Sequence, residues 1–567
     1  MTRLKLSEQL WVARLGADRA RRSAVSRVLY SPPFRWRYGA AVADQLLIVP
    51  QDLRTADPSF WDEVELGQFG LAGTVVSMGD VSPFDITPPN EGWARELHGF
   101  GWLRHLQAAG RPEAQETARQ LAAEWAMRHR GGGGGIAWEP AVAGRRMISW
   151  VSHAGLLLEG TDARTYETIT HRLGMQLIRL AAGWRDGPSG YPRLVALSAL
   201  VLANLSIAGH EGTIGDAERA LASELSNQIH PDGGHVSRNP GVLVELMLDL
   251  LPLRQCFAAR NRTPPAEIPA AMQRMLTMLR YMRLGDGMLA RFNGMGIASP
   301  AGLATVLAYE DKQGANPAKL TASRYVRLEC AGSVLIVDVG SPPPLEAAGE
   351  AHAGCLSFEF SAGTRLVFAN GGAPGPANSK WRAVSRATAS HNTLCLGEKS
   401  SSKLIRHKAL EDLVGAAPIR FPDVVGARVE KHADNLEVTA HHDGYVARFG
   451  LVHRRTIALA GSGRRLLGLD RLEHRRPNTR LRQDIPFAIY FHLHPDTLCR
   501  RGESGNIAEI VLPDGEVWRF SLEGARLSLE EGTFFADSAG PRSAMQIVAR
   551  GATFGASEVR WVAEALD

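Results

Sequence analysis

The sequence predicts an α+β protein of two segregated domains, an N-terminal α/α toroid followed by a C-terminal antiparallel β-sandwich. Three observations lead there. From Trp93 to about Tyr309 apolar residues recur at helical spacing, as in Leu194, Leu197, Val201 and Leu205. Near Lys312 to Thr321 the period shortens to two, so that Leu436, Val438 and Ala440 alternate with Glu437 and Thr439. The two patterns occupy separate stretches instead of alternating, which means separate domains and not βαβ units. At 567 residues the chain is also too long for one ordinary core. The expected divisions are a loop-rich lead-in over 1–90, the toroid over 91–320 and the sandwich over 321–567.

In the lead-in, Glu63 to Gly73 and the segment Val81-Ser-Pro-Phe-Asp-Ile-Thr-Pro-Pro carry turn-forming residues. Helices are expected over 93–109, 112–129, 140–158, 163–183, 191–208, 214–229, 240–259 and 265–283. Glycine or proline marks the joins, as at Gly160, Gly187-Pro188, Gly209 and Pro264-Pro265. Helices of similar length on short loops pack antiparallel, and stacked in sequence they suggest the toroid. The Gly131–Gly135 run reads as a flexible loop. Strands are expected at Ser333–Asp338, Arg365–Phe368, Arg465–Asp470, Ala488–His492 and Ala544–Val548, with turn signals at Asp443-Gly444 and Pro513-Asp514-Gly515.

Composition narrows the function classes. Hydrophobic residues at 45% and charged residues at 22% are ordinary for a globular protein and leave no room for bulk disorder. The net charge of +5 is spread over scattered arginines, which suits a solvated basic surface better than a nucleic-acid site. Cys256, Cys330, Cys355, Cys395 and Cys499 lie far apart, an odd set that forms neither a disulfide framework nor a zinc finger. No apolar signal region follows Met1, and no stretch is long and apolar enough to span a bilayer. The expected address is therefore the cytoplasm. No Walker loop, G-x-S-x-G elbow or H-E-x-x-H helix is present.

The chemistry-bearing stretch is Glu350-Ala-His352-Ala-Gly-Cys-Leu-Ser-Phe-Glu-Phe, followed by Asn370-Gly-Gly, Trp381-Arg382, Arg386 and Ala-Ser-His391-Asn392-Thr. With Pro231-Asp-Gly-Gly-His235, Trp138-Glu-Pro, His442-Asp443-Gly444-Tyr445 and His453-Arg454-Arg455, it resembles the heparinase II/III-like proteins over about 90–470. That family carries His-Ala-His-Ala-Asp where this chain has Glu350 to Gly354, so a histidine and an aspartate are absent. An expected Asn-His pair aligns with Pro192-Arg193, and the tyrosine expected soon after Gly-Gly-His is missing.

The resemblance implies β-elimination on an acidic, uronate-containing glycan bound between toroid and sandwich. Such a reaction needs a neutraliser for enolate-like charge, a base and an acid. Tyr191, His235, Arg238 and Asn239 are the candidates on the toroid, with His352 and Glu350 facing them. Arg382 and Arg386 are candidates for gripping substrate carboxylates. The elimination requires no cofactor, although the resemblance also implies a zinc site at His352, Asn370 and His391. Each residue has a structural alternative: buried hydrogen-bonded histidines, a helix cap at Asn239, salt bridges for the arginines. The His441-His442-Asp443 and His492-Leu-His494 groups fit a turn and an alternating strand better than a metal site. A second functional reading is a non-catalytic carbohydrate-binding or cell-envelope-associated protein on the same scaffold. The exported members of the family make the periplasm or envelope the alternative address.

Overall fold

The computed structural model describes residues 6–29, 43, 45–79, 81–130, 134–297, 299–309, 321–405, 418–423, 425–476, 481, 483–555 and 557–566. Gly131–Gly133 of the glycine run, and nearly all of the 312–321 stretch where the periodicity switches, lie outside them.

Helices follow the apolar pattern closely. They span Pro112–Arg128, Ala163–Gly183, Tyr191–Ser206, Glu211–Gln228, Pro240–Ala259 and Glu267–Tyr281. Pro112, Pro140, Pro240 and Pro300 open their helices, where the missing N–H costs nothing. The expected 93–109 helix is two, Glu91–Gly99 and Leu103–Ala109, because Phe100 turns left-handed with φ 57°. The 140–158 helix likewise divides into Pro140–Ser152 and Ala154–Leu158. The lead-in is less loop-like than its composition suggests: it holds a helix, Leu6–Leu29, a short helix, Phe60–Glu65, and the strand pair Gln68–Leu71 and Thr74–Ser77. Tyr191–Ser206 is buried along nearly its whole length and packs against Pro140–Ser152, Glu211–Gln228 and Pro240–Ala259.

The C-terminal part is built of antiparallel strands. One sheet has eight, in the order Val425–His432, Asn435–His442, Leu451–Leu459, Arg465–His474, Glu558–Ala565, Val517–Glu523, Ile507–Val511 and Leu498–Arg501. A second runs Arg526–Phe534, Arg542–Ala552, Pro486–His492 and Leu394–Leu396, and a third Tyr325–Cys330, Ser333–Asp338, Phe358–Ala362 and Arg365–Phe368. Inward-facing residues of all three, among them Leu335, Phe358, Ile489, Ile457 and Trp561, share one apolar core. Asp443-Gly444 does not close a two-residue hairpin; it leads into a short helix, Val446–Phe449, before the next strand.

The third sheet lies between two cores. Val334 and Ile336 belong to the helical core, whereas Leu335 and Val337 belong to the β core. Because successive strand residues face opposite sides, Ser333–Asp338 is buried on both. The helical and β parts therefore meet through one shared sheet, and the candidate residues gather around that joint.

Candidate site at the joint between the helical and β parts

Glu350 ends a short 3₁₀ turn, Leu345–Glu350, and stays exposed, while Ala351, His352 and Ala353 turn inward. His352 Nδ1 lies 3.0 Å from His391 Nε2, and His391 Nδ1 lies 2.8 Å from the Ala387 carbonyl. A carbonyl accepts only, so His391 carries its proton on Nδ1 and receives one from His352 Nδ1–H. Burial pushes both imidazoles toward the neutral form, His391 to about 4 and His352 well below its usual value. Around them Thr388 Oγ1 donates to the Ala353 carbonyl at 2.6 Å, and Asn392 Nδ2 to the Phe358 carbonyl at 2.8 Å. The His391-Asn392-Thr393 segment thus stitches the third sheet to the second.

The zinc expectation can be tested on its donors. Two neutral imidazole nitrogens 3.0 Å apart are nearly at the spacing that one zinc would impose. The rest of the set falls short. Asn370 Oδ1 already accepts the Asn392 N–H at 2.9 Å. A Cβ at Gly354 would stand 2.8 Å from His391 Cδ2, so the ring occupies the space an aspartate there would need. Among the described residues the one group of three or more His, Cys, Asp or Glu with metal-like spacing is Glu430, His432 and Glu437, on another sheet. These residues do not fit a four-coordinate zinc.

On the helical side the candidates are occupied. His235 is buried between Ser237 Oγ at 2.7 Å and Gln228 Oε1 at 3.0 Å, and burial lowers it to about 3. Arg238, itself left-handed with φ 59°, donates to Asp338 at 2.5 Å and to the carbonyls of Ser323 and Ser341 at 3.0 and 2.9 Å. A Cβ at Gly340 would lie 2.5 Å from its Nη2, so glycine there makes room for the guanidinium. Asn239 caps Pro240–Ala259, its Oδ1 accepting the Gly241 N–H at 2.9 Å. The Tyr191 hydroxyl meets Arg145 at 2.9 Å, and Arg145 pairs with buried Asp249, which Arg54 also contacts. Burial raises the Tyr191 hydroxyl far above its ordinary value.

Of the two arginines expected to grip substrate, Arg382 pairs with Glu350 on the exposed side. Arg386 is buried and donates to the carbonyls of Ala351 and Ala348 at 2.9 and 3.4 Å. One juxtaposition survives: Gly294 is close enough that a Cβ on it would touch both Glu350 and Asn239. Two concavities open nearby. One of about 470 Å³ is lined by Asn378, Trp381, Glu531 and Arg542. The other, of about 260 Å³, is lined by Arg291, His494, Phe534 and Asp537. None of the candidate catalytic residues lines either.

The heparinase II/III-like C-terminal family model matches residues 312–562. FtsZ-localized protein C of Caulobacter vibrioides is 30% identical over 540 residues, covering 91% of this chain and 89% of that one. The chain belongs to the heparinase II/III-like family. Solved structures agree on the fold: a crystal structure of heparinase III superposes with a TM-score of 0.69 at 14% identity, covering 94% of this chain and 88% of that one. The heparan sulfate lyase HepC of Pedobacter heparinus gives 0.54 at 16%, covering 96% and 88%.

For this heparinase II/III-like chain, two buried networks went unforeseen in the sequence. The His442 and His453 motifs meet in one: Gly444 N–H donates to His442 Nδ1 at 3.1 Å, His442 Nε2 lies 3.4 Å from His453 Nδ1, and His453 Nε2 lies 2.7 Å from Asp470. Arg455 pairs with Asp470 at 2.8 and 3.1 Å and donates to the carbonyls of Leu356 and Asn392, tying this chain of histidines to the His391 segment. In the other, Glu359 accepts the backbone N–H groups of Asn370 and Arg291 at 2.7 and 2.8 Å, and burial raises its carboxyl to about 7. An acid inside the apolar Ser-Phe-Glu359-Phe run was the available signal for Glu359.

Proposed function

We propose that this chain is a non-catalytic heparinase II/III-like scaffold that works by protein binding and co-localises with FtsZ, as its Caulobacter relative is named for doing. The observation carrying this is the fate of Arg238. The group best suited to neutralise an enolate is spent on Asp338 and backbone carbonyls inside the joint. His235, Asn239 and Tyr191 are spent in similar ways, and Glu350 stands where the family carries the first histidine of His-Ala-His-Ala-Asp. We take 91–320 to close into an α/α toroid and 321–567 to form the sandwich, a division that the likeness to heparinase III supports. The chain's address in this reading is the cytoplasm. All five cysteines are free, as a reducing compartment would keep them, and among the described residues no helix is long and apolar enough to cross a membrane.

A lyase acting on a uronate-containing glycan is the second reading, favoured by the approach of Glu350 to Asn239 across Gly294. One experiment separates the two. A fluorescent fusion of the chain is imaged beside labelled FtsZ, and the purified chain is incubated with acidic polysaccharides while unsaturated-uronate absorbance is followed. Co-localisation without absorbance supports the scaffold; absorbance growing with enzyme concentration supports the lyase.

A further inference from the structure

The cavity of about 260 Å³ is walled by both parts of the chain. Residues between Met288 and Pro300 supply one wall, and His494 with residues of the Phe534–Ser538 segment supplies the other. Backbone pairing holds the walls together. The Ala373 N–H donates to the Met295 carbonyl at 2.9 Å, and the Phe535 and Ala536 N–H groups both donate to the Gly371 carbonyl at 2.7 and 3.1 Å. Gly372 is left-handed with φ 69°, and a Cβ on it would stand 3.4 Å from Arg291 Cδ and 2.6 Å from Ala536 Cβ. The cavity is therefore preformed, as sites for small molecules usually are.

Two donors converge in it. Arg291 Nη1 is buried without a hydrogen-bond partner. Glu359 stands 3.9 Å from it, beyond hydrogen-bond reach, because both carboxylate oxygens already accept the backbone N–H groups of Asn370 and Arg291. His494 Nδ1 accepts the Asp496 N–H at 3.3 Å, so the neutral ring carries its proton on Nε2. Burial, and after it the charge of Arg291, hold that ring neutral. Both side chains flank one aromatic ring: Arg291 Cζ lies 5.1 Å from the Phe534 centroid, and the His494 ring lies 5.3 Å from it. The acids nearby are engaged elsewhere. Asp537 accepts the Ala539 N–H and Arg542, Asp496 accepts Arg542, and Asp286 accepts the Met288 N–H. Much of the remaining lining is apolar, with Met295 and Ile297 on the wall opposite Phe534.

We propose that this cavity binds one free small monocarboxylate with a short apolar body. Arg291 and His494 take the carboxylate, and Met295, Ile297 and Phe534 take the body. A planar guanidinium matches a carboxylate in two hydrogen bonds. A phosphate would set a second negative charge beside Asp286, Asp496 and Asp537. The volume falls below the about 300 Å³ at which drug-sized ligands begin, so the occupant is small. The site goes beyond the FtsZ-linked reading and needs no glycan chemistry.

The test uses the full chain and ligand-detected NMR at constant ionic strength, with benzoate and isovalerate as probes. Benzyl alcohol, inorganic phosphate and a tripeptide with a C-terminal valine are run beside them. The expected result is saturable binding of both carboxylates near about 1 mM, each displacing the other, with benzyl alcohol and phosphate at least about tenfold weaker. Arg291→Met, which keeps the length of the stem, should weaken benzoate about tenfold or more. Ile297→Asp, at an exposed position of the lining, should weaken it similarly, whereas Leu66→Asp, exposed on the lead-in, should bind as wild type. No saturation by about 20 mM would overturn the proposal. So would benzyl alcohol or phosphate binding as tightly as benzoate, or benzoate affinity unchanged in Arg291→Met. Should that variant fail to fold, unchanged affinity in Ile297→Asp overturns it instead. The tripeptide binding more tightly than isovalerate would overturn the assignment to a free small molecule.

Discussion

Arg238 and Asp338, a hundred residues apart in sequence, form a buried ion pair at 2.5 Å that joins the helical part to the shared sheet. Asp338 also accepts the Gly340 N–H at 3.0 Å and the Asn293 side chain at 3.2 Å, so its charge is fully used inside the joint. Truncating one partner leaves the other charge buried and unpaired. Arg238→Ala should therefore lose about 3–5 kcal/mol of stability. Denaturant unfolding measures this, and a loss below about 1 kcal/mol would show that the pair is not a staple.

Gly354 carries the next prediction. A methyl group there would meet His391 at 2.8 Å, and His391 is held on its other side by the Ala387 carbonyl. Gly354→Ala should cost about 1–3 kcal/mol through overpacking. The tighter check is His391→Ala in the same background, which should recover part of the loss by making room; thermal unfolding of the two variants reads it.

Much of the fold is legible in the sequence alone. The helix Pro240–Ala259 and the strands Ser333–Asp338 and Arg365–Phe368 run where periodicity placed them. Burial writes itself into sequence at 3.6 or two residues per repeat. The break at Phe100 left no such mark, because a left-handed residue is usually glycine and phenylalanine gives no warning. Leu6–Leu29 went unseen because its apolar residues are interrupted by arginines on several sides. The site was legible only as residue types. Nothing local to Arg238 announces Asp338, and Asn239 looks the same whether it caps a helix or steadies an enolate. Long-range pairing decides between such roles, and pairing at that range is a property of the packed chain.

Acid should weaken the protein more steeply than a single histidine can explain. Burial lowers His235 to about 3, and His391 and His492 to about 4. Each is neutral in the folded state, while in the unfolded chain it takes up a proton near 6.5. Stability is therefore greatest above about pH 6.5 and falls as the pH drops toward about 4, by up to about 1.4 kcal/mol per pH unit for each group. Glu359, raised to about 7, opposes one of them between about pH 4.5 and 7. His391→Asn should remove one proton from the slope of unfolding free energy against pH; an unchanged slope would show that His391 titrates normally.

Metal is expected to be dispensable. With Asn370 Oδ1 engaged and glycine at 354, His352 and His391 supply two nitrogens where zinc wants four donors. Adding zinc in slight excess, or stripping metal with chelator, should leave Tm within about 1 °C. Stoichiometric zinc surviving gel filtration and lost in His391→Ala would reverse that expectation.

As a non-catalytic scaffold, the proposed reading, this chain would have given up β-elimination. The most direct test of that reading is turnover: unsaturated-uronate absorbance from the purified chain on a panel of heparan, chondroitin and alginate-type polysaccharides, with His352→Ala and Glu350→Ala run alongside. The expected result is no absorbance above the buffer rate for any of the three proteins. Absorbance from the wild type that either substitution abolishes, without change in Tm, would contradict it.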